Sequence, residues 1–164
     1  MDGKVLGQRT ARLEDPNLLR GRGRYTDDIR LPQMAHAAFV RSPYPHAILK
    51  SLDKAAALKI EGVLAVYDFT DIRPQMLQDK LPVEFPSGVP KAENAGPAVL
   101  VKDEAMYSGE CVAIVLAETR HVAEDAAASV ETEWEPLPAA GDCKAALENG
   151  APTAHRDATT NLMM

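Results

Sequence analysis

Residues 110–135 constrain the fold most, because three segments with different periods follow one another closely there. Residues 111–116, Cys-Val-Ala-Ile-Val-Leu, form an unbroken apolar run that is typical of a buried strand. Thr119 can cap a helix over about residues 120–130, in which apolar side chains recur on one face. Residues 130–135 then alternate apolar and polar, as an edge-exposed strand does. This succession of strand, helix and strand predicts a helix that lies close on a sheet.

A long proline-rich loop is predicted upstream of this stretch. Residues 74–97 contain five prolines and two glycines. A loop of this length in a compact domain is usually functional, covered by a partner or disordered. Strands bounded by turn residues are predicted on both sides of the loop, at residues 34–41, 46–52, 63–67, 98–101 and 110–117.

The remaining predicted helices are short. Asp53 can cap one that continues through Leu58, with Gly62 ending that unit, and another is expected at residues 142–148. Residues 1–33 show no regular period and are predicted to form an extended arm. The order of the elements predicts an α+β or α/β domain of two layers.

Charge and cysteine content argue against several functions. A net charge of −6 and a pI near 5.2 disfavour nucleic acid as a partner, because that binding depends on Lys and Arg neutralising phosphates. Cys111 and Cys143 form no CxxC pair, so neither a four-thiolate iron–sulfur or zinc site nor a disulfide is predicted. Cys111 lies in an apolar run and is expected to be a buried, inert thiol. No segment reaches the ~18 apolar residues of a membrane span and no signal peptide is apparent, so a cytoplasmic protein is expected.

Histidines and paired acids are the first candidates for a metal or acid–base site. No two histidines have the i, i+3 or i, i+4 spacing that places ligands on one helix face, so structural or exposed roles are favoured. The acid pairs at residues 14–15, 27–28 and 103–104 lie in turn-like sequence and are predicted to be solvated loops. The four histidines are His36, His46, His121 and His155.

Two other features have alternative interpretations. Residues 20–24, Arg-Gly-Arg-Gly-Arg, are similar to a phosphate-cradling loop, but no strand precedes them and no apolar helix follows. A structural turn paired with Asp27 and Asp28 is therefore favoured, and contact with another domain is the alternative. Trp134 points either into the core or into an interdomain interface, which the sequence does not separate.

Short motifs occur in a fixed order from residue 7 to about residue 162. They are Gly7-Gln-Arg, Arg12-Leu-Glu-Asp-Pro-Asn-Leu-Leu19, Gly21-Arg-Gly-Arg-Tyr-Thr-Asp-Asp-Ile29, Leu31-Pro, His36-Ala-Ala-Phe-Val-Arg-Ser-Pro43, His46-Ala, Gly62-Val, Tyr107-Ser-Gly-Glu, Arg120, Ala123-Glu-Asp-Ala-Ala127 and Val130 through Pro138. Each motif alone is weak, but in this order they resemble the opening of the large subunits of molybdenum hydroxylases. That family includes xanthine dehydrogenase, aldehyde oxidase and carbon monoxide dehydrogenase. Cys111 departs from the family, which commonly has proline there, and this is a packing change.

The resemblance implies an α+β fold: a two-layer α/β-hammerhead with a mixed sheet and a few short helices, over residues 34–150. The arm at residues 1–33 would precede it, and residues 151–164 would be a truncated C-terminal tail. The implied function is a non-catalytic structural domain or subunit of a molybdenum-dependent hydroxylase or dehydrogenase. Complete enzymes of this kind hydroxylate heterocycles, aldehydes or CO. A free-standing protein-interaction module that kept the hammerhead fold is the alternative.

The resemblance assigns no catalytic, cofactor-binding or metal-ligating residue to this chain, and the isolated chain is expected to be inactive. Molybdopterin would lie in the molybdenum-binding remainder of the large subunit, and 2Fe-2S and FAD groups in other domains or subunits. Pro97 and Val99 are candidates for the wall of the substrate channel, with ordinary loop packing as the alternative. Leu19 and Phe85 are candidates for interdomain contact, through which the chain is expected to bind the remainder or to self-associate.

Overall fold

The computed structural model describes residue 7, residues 11–82 and residues 96–162. The chain forms two compact units, Met1–Met34 and Ala35–Met164. In the first unit, Pro16 occupies the first turn of helix α1 (Asp15–Leu18), where the amide that proline lacks has no helical partner in any case. A 3₁₀ turn at Thr26–Asp28 is fixed by the carboxylate of Asp28, which accepts the amide of Tyr25 at 2.9 Å.

The described part of the second unit contains two three-stranded sheets, which we call sheet A and sheet B. The strand order is β1-β5-β3 in sheet A and β4-β2-β6 in sheet B. All strand pairs in the described residues are antiparallel. The strands are β1 (His36–Arg41), β2 (Ala47–Asp53), β3 (Val63–Asp68), β4 (Glu104–Ala105), β5 (Cys111–Ala117) and β6 (Glu131–Pro136).

Helix α3 (Arg120–Ala128) packs on sheet A. The hydroxyl of Thr119 accepts the amide of Val122 at 3.2 Å and caps the first turn, as predicted. Ala123 and Ala126 are fully buried, and their small side chains let the helix approach the strands closely. The sequence-predicted helix of this region is therefore confirmed, with its end two residues earlier than expected.

The core lies on the inner face of sheet A. Val115 of β5 is paired with Ala38 of β1 on one side and with Val66 of β3 on the other. Val66 and Val115 are buried together with Ala126 of α3. Sheet B contributes partly buried side chains to the same core, namely Leu49, Leu52 and Trp134.

The expected two-layer α+β hammerhead is confirmed, but the strands form two antiparallel sheets instead of one mixed sheet. Helix α3 connects β5 to β6 in the manner of a crossover, which could have produced a parallel pair. However, β6 joins β2 in sheet B as an edge strand and does not return to sheet A. The prediction of an edge position for residues 130–135 is confirmed.

The prediction of a strand at residues 98–101 is wrong. Leu100 and Val101 are buried, so the apolar run is part of the core. Within the described residues its backbone makes isolated contacts: Ala98 bridges to Lys80, and the amide of Val101 donates to the carbonyl of Cys111 at 2.7 Å. The short strand β4 at residues 104–105 is the one that pairs with β2.

Three short helical elements also differ from the sequence predictions. The helices predicted at residues 53–58 and 142–148 are reduced to 3₁₀ turns at Ala57–Lys59 and Ala145–Leu147. Helix α2 (Phe69–Ile72) was not predicted, because a sequence of four residues is too short to show a helical period. It continues into a 3₁₀ turn at Arg73–Gln75.

Candidate functional site

The buried side chain of His46 contacts the half-buried carboxylate of Glu104 in the second unit. His46, at the entry to β2, is 5% exposed, and its Nε2 lies 2.8 Å from Oε1 of Glu104 in β4. Its Nδ1 lies 2.8 Å from the carbonyl oxygen of Pro138. Both ring nitrogens therefore lie within hydrogen-bond distance of an oxygen atom. Ala47 and Ala105 are register partners, which brings the two side chains together.

Arg156 completes this cluster from the C-terminal segment. Its backbone amide donates to Oε1 of Glu104 at 2.7 Å, and its Nε lies 3.6 Å from Oε2 of the same carboxylate. Its guanidinium also forms an ion pair with Asp103. The hydrogen bond to Asp103 and the negative charge of Asp103 raise the pKa of Arg156. We call His46, Glu104, Arg156 and Asp103 the histidine cluster.

The contacts of the histidine cluster give it a structural role. Each oxygen of Glu104 is engaged by His46 or Arg156, and both nitrogens of His46 are engaged as well. The cluster holds the segment after residue 150 against β2 and β4. The prediction that residues 103–104 are a solvated loop is wrong for Glu104, whose side chain is 11% exposed.

Glu110, directly before β5, carries a buried carboxylate. Glu110 is 2% exposed, and its Oε2 accepts a hydrogen bond from the amide of Met106 at 2.6 Å. Among the described residues, none donates a hydrogen bond to its buried Oε1. Burial raises the pKa of Glu110, and the charge of Glu104 adds to this effect, against the amides of Met106 and Tyr107 and the charge of His155. The sequence placed Glu110 in a family motif but gave no sign that it is buried.

No group of three or more His, Cys, Asp and Glu side chains within residues 11–82 and 96–162 is placed to hold a metal ion. These residues therefore offer no ligand set that fits molybdenum or an iron–sulfur cluster. Cys111, expected to be buried, is half-buried, and its Sγ accepts a hydrogen bond from Nη1 of Arg41 at 3.2 Å.

The candidate channel residues lie on a segment that pairs with residues 80–81 through an isolated antiparallel bridge. The carbonyl of Pro97 accepts the amide of Leu81 at 2.9 Å. Gly96 is required here, because a Cβ at this position would lie 2.2 Å from the carbonyl oxygen of Leu81. Pro97 and Val99 are both exposed, while Leu100 beside them is buried.

The other candidate residues fall in different places. Leu19 follows α1 in the first unit and is 87% exposed. Phe85 lies outside the described residues. Within residues 20–24, the amide of Arg22 donates to the carbonyl of Asn17 at 2.8 Å, which supports the predicted structural turn. Trp134 is half-buried against the core, and its Nε1 donates to the hydroxyl of Thr132 at 3.0 Å.

The second unit is a two-layer α+β domain of the hammerhead class. It combines two antiparallel sheets, a helix packed on one of them and the histidine cluster. The family described as "Aldehyde oxidase and xanthine dehydrogenase, a/b hammerhead domain" matches residues 20–138. The chain belongs to this family.

Two curated relatives and one solved structure illustrate the similarity. The carbon monoxide dehydrogenase large chain of Afipia carboxidovorans is 36% identical over 152 residues, which is 93% of this chain and 18% of that protein. The nicotine 6-hydroxylase large subunit of Paenarthrobacter nicotinovorans is 37% identical over 158 residues, 96% of this chain and 19% of that one. Quinoline 2-oxidoreductase from Pseudomonas putida 86 superposes with a TM-score of 0.80 at 34% identity, covering 96% of this chain and 20% of its own.

The chain thus spans less than one fifth of the length of these curated relatives. None of the helices in the described residues is both long and apolar enough to cross a membrane.

Proposed function

We propose that this chain acts as a non-catalytic structural domain of the large subunit of a molybdenum-dependent hydroxylase or dehydrogenase. The observation that carries the proposal is the match of most of the chain to the hammerhead domain, together with the small share of each relative that it covers. The relatives are named for the oxidation of carbon monoxide and the hydroxylation of nicotine. A complete enzyme of this kind would hydroxylate a heterocycle or an aldehyde, or oxidise CO.

The partners follow from this proposal. The first is the molybdenum-binding remainder of the large subunit, which would carry molybdopterin. Iron–sulfur and flavin subunits would carry the 2Fe-2S and FAD groups and receive the electrons. The chain itself would supply no metal ligand, and its contribution would be to shape and support the large subunit.

Two pairs of residues have specific roles in this proposal. Pro97 and Val99 would form part of the substrate-channel wall, a role supported by their exposure on the segment where Gly96 allows the close approach of Leu81. Leu19 and Phe85 would contact the remainder of the large subunit, and the 87% exposure of Leu19 supports its availability.

The test is complementation between two separate polypeptides. The Afipia large chain, with the segment matched by this chain deleted, is expressed together with this chain carrying an affinity tag. We expect the two to copurify, and Leu19→Asp to weaken the complex about tenfold or more, the scale of an interface hot spot. Leu13→Asp, at another exposed leucine of the first unit, is the matched control.

If this chain does not copurify with the Afipia large chain that lacks the matched segment, the proposed function is contradicted. The free-standing interaction module would then be favoured.

A further inference from the structure

The outer face of sheet B shows what a solvent-exposed sheet face looks like in this protein. Antiparallel sheets with one face in water carry polar residues on that face. Ser51 of β2 is paired with Glu133 of β6 and donates a hydrogen bond to its carboxylate at 3.2 Å. Lys50 forms an ion pair with Glu135 on the same sheet. Sheet B therefore follows the rule.

The outer face of sheet A does not follow this rule. Ile114 of β5 is paired with Phe39 of β1 on one side and with Tyr67 of β3 on the other, so the three side chains form one row. A second row places Leu116 between two alanines. These rows form a surface without a charged side chain, which we call the apolar face: Ala37, Phe39, Ala65, Tyr67, Ile114 and Leu116.

The apolar face is exposed although its composition is that of an interior. Phe39 is 45% exposed and Tyr67 41% exposed, and Ile114 and Leu116 between them are half-buried. Strand β5 is apolar on both of its faces, a pattern typical of strands that are covered on both sides. Only one of these sides faces the core and α3.

The rim of the apolar face also has the composition of a protein interface. Arg41 lies at its edge with its guanidinium carbon 5.4 Å from the centre of the Phe39 ring, and its Nη1 donates to the carbonyl of Gly109 at 2.8 Å. The guanidinium is thus held in place over the ring. Interfaces are enriched in aromatic residues and arginine and depleted of other charges at their centre.

We propose that the apolar face is the surface on which the molybdenum-binding remainder of the large subunit packs. This inference rests on the proposed function and adds the location of the contact. The occupant follows from chain length: more than four fifths of the Afipia and Paenarthrobacter relatives lies outside the part that this chain matches. Domains of one chain typically bury on the order of 600–1,500 Å² against each other.

The test uses the tagged chain and the Afipia large chain from which the matched segment has been deleted. Tyr67→Lys and Phe39→Ser are each introduced on the apolar face, with Ser51→Lys on the polar face of sheet B as the matched control. We expect the first two to weaken binding at least about tenfold and the control to change it less than about twofold. Hydroxyl-radical footprinting of the unmodified pair should show protection of Phe39 and Tyr67 on binding. Thermal unfolding of each variant alone confirms that the second unit is still folded.

The outcomes separate the inference from the proposed function. If the unmodified chain binds but the apolar-face variants bind equally well and the two aromatics stay unprotected, the inference is overturned and the proposed function stands. If Phe39 and Tyr67 are protected in the chain alone at micromolar concentration, a second copy is the occupant and the inference is also overturned. If the unmodified chain does not bind at all, both fail. Should one variant unfold, the footprint of the unmodified pair still decides.

Discussion

At the scale of single residues, Glu110 is the clearest departure from ordinary burial. A carboxylate in the core needs hydrogen bonds to both oxygens, because burying an unpaired charge is costly. Oε2 has the amide of Met106, whereas none of the described residues donates to Oε1. Burial raises the pKa of Glu110, so protonation is more favourable in the folded than in the unfolded state.

This shift predicts a pH dependence of stability. A folded pKa above the unfolded one gives a stabilisation that is complete below the ordinary glutamate pKa and is lost as the pH rises through the folded pKa. Each unit of difference corresponds to about 1.4 kcal/mol. We therefore expect Glu110→Gln, which stays neutral, to gain stability relative to the unmodified chain as the pH increases from acidic to neutral.

Urea unfolding of both proteins across this pH range measures the effect. Parallel stability profiles for the two would show that the Glu110 proton makes no difference to folding.

At the scale of an element, the carboxylate of Asp68 organises the end of β3 and the start of α2. Its Oδ1 accepts the amides of Thr70 at 2.8 Å and Asp71 at 3.1 Å, and its Oδ2 lies 3.0 Å from Nζ of Lys54. The side chain of Asp71 in turn accepts a hydrogen bond from the amide of Asp68 at 2.9 Å, which completes a capping box. Burial raises the pKa of Asp68, but the hydrogen bonds from Thr70, Lys54 and Asp71 outweigh it, so the pKa is lowered overall.

A pair of substitutions separates the cap from the ion pair. Asp68→Asn keeps a good N-cap and removes the charge, whereas Asp68→Ala removes both, so we expect Ala to be less stable than Asn by about 1 kcal/mol. Since the pKa of Asp68 is lowered on folding, its advantage over Asn should be present above the ordinary aspartate pKa and be lost as the pH falls through the folded pKa. Chemical denaturation at neutral and acidic pH measures both differences. Equal stability of the Asn and Ala variants would show that capping contributes nothing here.

At the scale of the whole molecule, the chain is a domain whose surface includes features normally found inside proteins. The apolar face of sheet A and the exposed Leu19 of the first unit are examples. The polar groups of the histidine cluster, by contrast, are paired within the second unit, since His46 and Glu104 contact one another and also Pro138 and Arg156. This distribution fits a part that is completed by contact with a larger polypeptide.

The purified chain should accordingly contain neither stoichiometric molybdenum and iron nor flavin, and should not oxidise aldehydes or purines. The reason is that the sequence contains no CxxC pair and that the described residues place no ligand set around a metal site. Metal analysis and the visible absorption spectrum are the measurements. One molybdenum or iron atom per chain, retained through purification, would contradict the assignment of a purely structural role.

The sequence by itself determined the elements with a strong local period. Strand β5, helix α3 with its Thr119 cap and strand β6 were predicted because apolar spacing and capping depend on neighbouring residues only. The ordered family motifs likewise gave the hammerhead class, which the family match confirms. Short elements such as α2 and β4 lack enough residues to show a period, and sequence reasoning missed them.

The tertiary structure alone decided which strands are partners and which polar groups meet. Register between distant strands depends on burial and pairing, so the sequence could not show that β6 joins β2 and leaves β5 between β1 and β3. His46 reaches Glu104 across 58 positions, and Arg156 reaches the same carboxylate across 52. No spacing rule links residues so far apart, because their proximity results from the pairing of β2 with β4 and from the return of the C-terminal segment. For the same reason, the apolar character of β5 was visible in the sequence, while the exposure of one of its faces was not.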